Sequence, residues 1–172
     1  MSWRDMSLSE DVFTRTLTSE RLRAVYRVWR ELAAGRMAPR RAEMTPAHLR
    51  RVLPWTFMVE VLDGGGDFRV RFRGDRLIQF MGDPCGATTL AGLRGTDFWD
   101  AVDALFRQCV ENGKPLASGP KRTQLEGKEH LEREVLLLPL SEDGATVSGL
   151  LGAMDTWQLG THRHSPTPVL AD

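Results

Sequence analysis

The sequence predicts a small α+β domain: a five-stranded antiparallel sheet with helices on one face, plus an N-terminal helix. Two observations support this fold class. Two strand-like runs joined by the glycine-rich turn Asp63–Asp67 come before the longest helix-like run, and three strand-like runs follow it. Strands connected by short turns pair antiparallel, so the helices inserted between the two groups should cover one side of the sheet.

Composition limits the classes of function. The 172 residues are 41% hydrophobic, which suffices for a core, and 23 basic residues balance 23 acidic ones. This balance makes nucleic acid an improbable partner, although residues 20–51 carry nine arginines against three glutamates. We expect most of those arginines to pair with acids of the sheet. The longest apolar run, Val135–Leu138, is too short to cross a membrane, and no signal peptide precedes it, which predicts a cytoplasmic protein.

The chain divides into four expected parts. Residues 1–17 form a flexible N-terminal arm, and residues 18–54 form the N-terminal helix with a connecting segment. Residues 55–155 form the core, and residues 156–172 form a flexible, proline-containing tail. The chain ends soon after the last predicted strand, so we expect no output domain there and a signal that leaves by partner contact.

The N-terminal helix carries one apolar stripe at three- and four-residue spacing, which is typical of an amphipathic helix. The stripe consists of Leu22, Val25, Tyr26, Trp29 and Ala33, with Leu32 beside it. Such a stripe can form a dimer surface or pack on the chain's own sheet. The sequence leaves both uses open, and we consider the five residues candidates for an interface.

The hairpin strands supply a candidate ligand pocket. Alternation places six apolar residues of the two strands on one face, and the long helix adds two aromatic residues. The candidate lining residues are Phe57, Val59, Val61, Phe68, Val70, Phe72, Trp99 and Phe106. A filled core is an equally good interpretation of the same residues. On the other face, Glu60 should lie beside Arg69 or Arg71 as a cross-strand ion pair.

Short glycine- and proline-containing segments recur along the chain. They are Gly35-Arg36-Met37-Ala38-Pro39-Arg40-Arg41-Ala42, Pro46, Leu53-Pro54, Arg71 with Gly74, Gly82-Asp83-Pro84-Cys85-Gly86, Gly113-Lys114-Pro115, Leu138-Pro139-Leu140-Ser141 and Asp143-Gly144. In order and spacing they resemble a bacterial subfamily of PAS domains over residues 17–155. Two departures are Glu60, where the subfamily usually has aspartate, and the swapped order of Met37 and Ala38.

The resemblance implies a sensor in signal transduction that binds a small molecule in its core or a signalling protein on its sheet, often as a homodimer. It also implies structural ion pairs for Arg36 and Arg41, besides the pair of Glu60 and Arg71. Fold analogy alone does not identify a ligand. The alternative is a protein-interaction domain that binds no ligand.

The cofactor stays unknown, although two cofactors are disfavoured. In light-sensing PAS domains a cysteine follows the turn glycine by three residues, and Thr89 stands at that position here. Haem needs an axial ligand, and residues 98–112 contain no histidine. Cys85 and Cys109 form no CxxC pair or zinc-like cluster, so no metal site is predicted.

No catalytic motif appears in the chain, so we predict that it is not an enzyme. The rival fold is a cone-shaped α+β isomerase or dehydratase, whose pocket requires an aspartate or histidine base. A hairpin that precedes the long helix argues against that cone. A pocket carboxylate with a raised pKa would favour it.

Overall fold

A computed structural model of the chain describes residues 12–82, 89–163 and 167–172. After a short helical segment at 12–16 come the helices α1 (Glu20–Ala33), α2 (Asp75–Met81) and α3 (Asp97–Asn112). The strands are β1 (Thr56–Leu62), β2 (Asp67–Arg73), β3 (Leu116–Arg122), β4 (Leu131–Leu140), β5 (Gly149–Gln158) and β6 (Val169–Leu170). No helix in these ranges has the length and apolar character needed to cross a bilayer.

All strand pairs in the sheet are antiparallel, and the strand order is β2-β1-β5-β4-β3-β6. The predicted hairpin β1–β2 and meander β3–β4–β5 both form, with β1 pairing against β5. The α+β fold class is therefore confirmed, with a short sixth strand added to the five expected. Polar glycine-containing turns place these strands side by side, as their sequence indicated.

Helices cover both faces of this sheet. Alternation along β4 directs Leu136, Leu138 and Leu140 to a hydrophobic cluster that contains α1. Val135 and Leu137 point the opposite way, to a cluster that contains residues of α3. The core helices α2 and α3 thus share one face of the sheet, and the N-terminal helix α1 packs on the other.

The apolar stripe of α1 packs on the chain's own sheet. Its five residues, Leu22, Val25, Tyr26, Trp29 and Ala33, are each at most 6% exposed and belong to the cluster under β4. The Trp29 indole Nε1 also donates a hydrogen bond to the Pro139 carbonyl at 2.7 Å. These side chains cannot reach a second chain without leaving the core. Their burial in the chain's own core contradicts the interface prediction and agrees with the packing alternative.

A buried carboxylate fixes the start of α1. Glu134 on β4 is fully buried and accepts backbone N–H bonds from Thr18 at 2.8 Å and Ser19 at 2.8 Å. Ser19 is also the N-cap, because its hydroxyl accepts the Leu22 N–H at 3.2 Å. The N-cap residue thus has a second attachment, to the sheet, which ties the helix to β4.

The two expected flexible ends differ from the prediction in their described residues. Phe13 and Leu17 are buried, and the Phe13 ring lies 4.8 Å from that of Tyr26, because they complete the apolar layer under α1. At the other end β5 continues to Gln158, and β6 pairs with Leu116 and Ala117 of β3. The added strand covers part of an otherwise open sheet edge.

Candidate functional site

A cavity of about 80 Å³ lies between the sheet and the helices α2 and α3. Strands β1, β2, β4 and β5 form its floor, and α2, α3 and the turn Leu90–Leu93 form its roof. The described lining is aliphatic and aromatic apart from two arginines, Arg73 and Arg133. A mostly apolar concavity with few polar groups is the usual form of a small-molecule site.

Five of the eight predicted pocket residues line this cavity: Phe57, Val59, Val70, Trp99 and Phe106. The rings of Phe57 and Phe106 stack across it, with their centroids 5.7 Å apart. The hairpin and the long helix thus meet at the cavity through aromatic contacts.

Two further predicted residues lie in the adjoining packed core. Phe68 is completely buried and meets the Phe106 ring edge-on at 5.2 Å. Val61 packs against the same cluster. Neither lines the cavity, so their position matches the filled-core interpretation.

The prediction for Phe72 was wrong because of a β-bulge in β2. Val59 pairs with Val70 and Met58 pairs with Phe72, so Arg71 is an extra residue between the two pairs. An extra residue reverses the alternation of every side chain beyond it. Phe72 therefore lies on the face opposite the cavity, 39% exposed, and Arg73 lines the cavity in its place.

Arg69 and Arg71 lie on the face of the hairpin that is opposite the cavity. Arg71 forms an ion pair with Glu60, and Arg69 approaches the same carboxylate at 3.4 Å. Among the other predicted ion-pair residues, Arg36 contacts Glu43 at 2.8 Å. Within the described residues the Arg41 guanidinium makes no ion pair, and instead its backbone N–H binds Glu142 at 3.1 Å. Arg41 was thus wrongly expected to pair through its side chain.

Sequence reasoning missed Arg133, the most unusual residue of the cavity. It is 4% exposed, and its Nη1 atom has no hydrogen-bond partner among the described residues. Burial lowers the pKa of Arg133 to about 10, which leaves it cationic at neutral pH. The sequence did hold a signal for this position. Arg133, Val135 and Leu137 are two residues apart along β4, so their side chains point to the same face of the sheet.

The described cavity lining contains no carboxylate of the kind that the isomerase-like alternative requires. Burial does raise the pKa of Glu134, but this side chain lies on the opposite face, bound to the start of α1. Cys109 is a free thiol in the core cluster, and burial raises its pKa to about 12. Cys85 lies outside the described residues, as do the other residues of its segment after Gly82.

The Phe57 ring occupies space that only a glycine leaves free. A Cβ on Gly152 would lie 1.9 Å from Cζ of Phe57 and 2.3 Å from its Cε1. We expect Gly152→Ala to push the ring into the cavity and to lower the free energy of unfolding by about 1–3 kcal/mol. Urea unfolding measures this loss.

The double variant Gly152→Ala/Phe57→Leu is the control for that prediction. Because leucine lacks the ring that the new methyl group meets, the two effects should be clearly less than additive. Fully additive losses would show that the contact between Gly152 and Phe57 is not the cause.

Comparison with family models identifies the family of the chain. A family model described as a PAS domain matches residues 17–155, which contain all the described elements from α1 to β5 except the last residues of β5. No curated protein matches the chain.

Proposed function

Because the chain belongs to the PAS domain family, a family of sensory and regulatory modules, we propose that its cavity binds a small, mainly apolar ligand. The observation that carries the proposal is the unfilled space of about 80 Å³ between the sheet and the helices α2 and α3. Occupancy of this space would be the signal that the domain reports.

The mostly apolar lining determines what can fill the cavity. Water gains little in an apolar cavity because it finds few hydrogen-bond partners there. An empty cavity deprives its lining of dispersion contacts that a well-fitting ligand restores. Aromatic walls such as Phe57, Trp99 and Phe106 favour a flat or compact apolar ligand.

In this proposal the domain passes its signal on through contact with a second copy of the chain or with another signalling protein. The buried stripe of α1 is unavailable for it. The opposite side of α1, where Ala24, Arg27 and Glu31 are exposed, stays accessible. That helix packs on the same sheet that forms the cavity floor, so a partner held there lies one layer from the ligand.

Ligand uptake can be tested with toluene and indole as probes. We expect each probe to bind saturably, with amide chemical-shift changes centred on β1 and α3, and to raise the melting temperature. Val102→Phe, which fills the cavity from α3, should abolish both effects. The matched control Val28→Phe enlarges a half-buried valine of α1 on the other face and should leave binding unchanged. Absence of saturable binding to the native protein would refute the proposal.

A further inference from the structure

The cavity wall holds a buried cation with an unused donor. Arg133 lies on β4 with its side chain on the face of Val135 and Leu137, and these three residues line the cavity together. Its guanidinium is almost fully buried, and Nη1 has no partner among the described residues. A cation removed from water is strongly unfavourable unless an anion compensates it.

The neighbouring acids cannot supply that anion. Glu132 and Glu134 are adjacent in sequence, but alternation along β4 turns both to the opposite face. There Glu134 binds the backbone of Thr18 and Ser19, and Glu132 accepts the backbone N–H of His162 at 2.8 Å. None of the described cavity-lining residues is acidic.

A second cation lies beside the first. Lys121 of β3 is the direct cross-strand partner of Arg133, so the two side chains share one face. Burial lowers the pKa of Lys121, and the charge of Arg133 lowers it further. This end of the cavity is therefore positively charged, and the rest of its described wall is apolar apart from Arg73.

We propose that the ligand of this cavity is a small carboxylic acid, whose carboxylate pairs with Arg133 and whose apolar body packs against the aromatic wall. The inference rests on the proposed function, because it requires that the cavity takes up a ligand at all. A planar guanidinium can donate two parallel hydrogen bonds to a carboxylate, which matches an anion of single charge. A mostly apolar wall with a buried guanidinium, whose Nη1 has no partner among the described residues, suits such an amphipathic molecule better than a fully polar anion.

The test compares benzoate with benzyl alcohol, a neutral molecule of similar shape, by calorimetric titration. We expect the native protein to bind benzoate at least tenfold more tightly. Arg133→Met should remove this preference and keep the binding of benzyl alcohol, and it should raise the melting temperature of the ligand-free protein because a buried unpaired charge is lost. Arg122→Met, an arginine of β3 that contacts the Glu129 carbonyl outside the cavity, is the matched control and should keep the preference.

The outcomes separate the two proposals. Equal or tighter binding of benzyl alcohol by the native protein would overturn the carboxylate inference and leave the proposed function standing. Binding of neither probe would overturn the carboxylate inference, and the titrations with toluene and indole would then decide the proposed function. If Arg133→Met does not fold, Arg133→Lys serves instead: it keeps the charge but loses the two-point geometry, so benzoate binding should weaken severalfold. Benzoate binding that neither substitution weakens would rule out Arg133 as the anchor.

Discussion

Replacing Gly74 with alanine is expected to lower the free energy of unfolding by about 3 kcal/mol. A Cβ at this position would lie 2.3 Å from the carbonyl oxygens of both Leu53 and Pro54. These are backbone atoms, so no rotamer change can relieve the overlap. The Gly74 N–H also donates to the Thr56 carbonyl at 2.8 Å, which holds the end of β2 against the start of β1. The substitution should therefore separate the hairpin from the segment before it.

Urea unfolding measures this loss, and Gly66→Ala provides a matched control. Gly66 has a φ of −70°, close to the −71° of Gly74, so neither glycine is required for its φ. A Cβ on Gly66 meets its nearest atom only at 3.3 Å. We expect the control to change stability by less than about 1 kcal/mol. Similar losses for both variants would mean that close backbone approach is not what requires Gly74.

Replacing Glu134 with alanine should cost about 3 kcal/mol, because the backbone N–H groups of Thr18 and Ser19 would lose their acceptor while Ser19 stays buried. The start of α1 should loosen from β4. Urea unfolding gives the energy, and near-ultraviolet circular dichroism reports the packing of Trp29. Glu134→Gln keeps one acceptor oxygen and should lose clearly less. An alanine variant as stable as the native protein would contradict the anchoring role of Glu134.

The same carboxyl group gives stability a pH dependence. Burial raises the pKa of Glu134 in the folded state, so between the ordinary value near 4.5 and the raised one the folded chain holds more protons than the unfolded chain. Stability contributed by this group is fully present below the ordinary pKa and falls as the pH rises through the raised pKa. The Glu134→Gln variant should lack this decline. Comparing the urea midpoints of the two proteins across that range isolates the contribution.

The order of elements could be predicted from the sequence because local patterns determine it. The alternation in β1 and β2, the periodicity of α3 and the glycine-containing turns are all properties of short segments. The bulge at Arg71 could not be predicted, since the alternation of Phe68, Val70 and Phe72 continues unbroken in the sequence. Only the pairing with β1 shows where the extra residue lies, and this moved Phe72 out of the site.

Long-range docking explains the remaining differences. From the sequence alone, the stripe of α1 fits a partner chain or the chain's own sheet equally well. Glu134, which accepts the N–H groups at the start of α1 and so holds this helix on the sheet, lies more than 110 residues further along the chain. In the sequence alone, nothing distinguishes Arg133 from any other charged residue of a strand. It becomes exceptional only when β3, β5 and the helices close over it and its acidic neighbours turn away. The strand β6 likewise forms only by pairing with the edge strand β3, and the sequence does not show which strand lies at the edge of the sheet.

Arg133 and Glu134 are consecutive residues on opposite sides of a sheet that is one backbone thick. The peptide unit between them is therefore shared by the wall of the cavity and by the attachment point of α1. Only four backbone atoms, Cα and C of Arg133 and N and Cα of Glu134, separate the two side chains. If the proposed ligand pairs with Arg133, a single peptide unit separates its binding point from the attachment of α1 at Glu134.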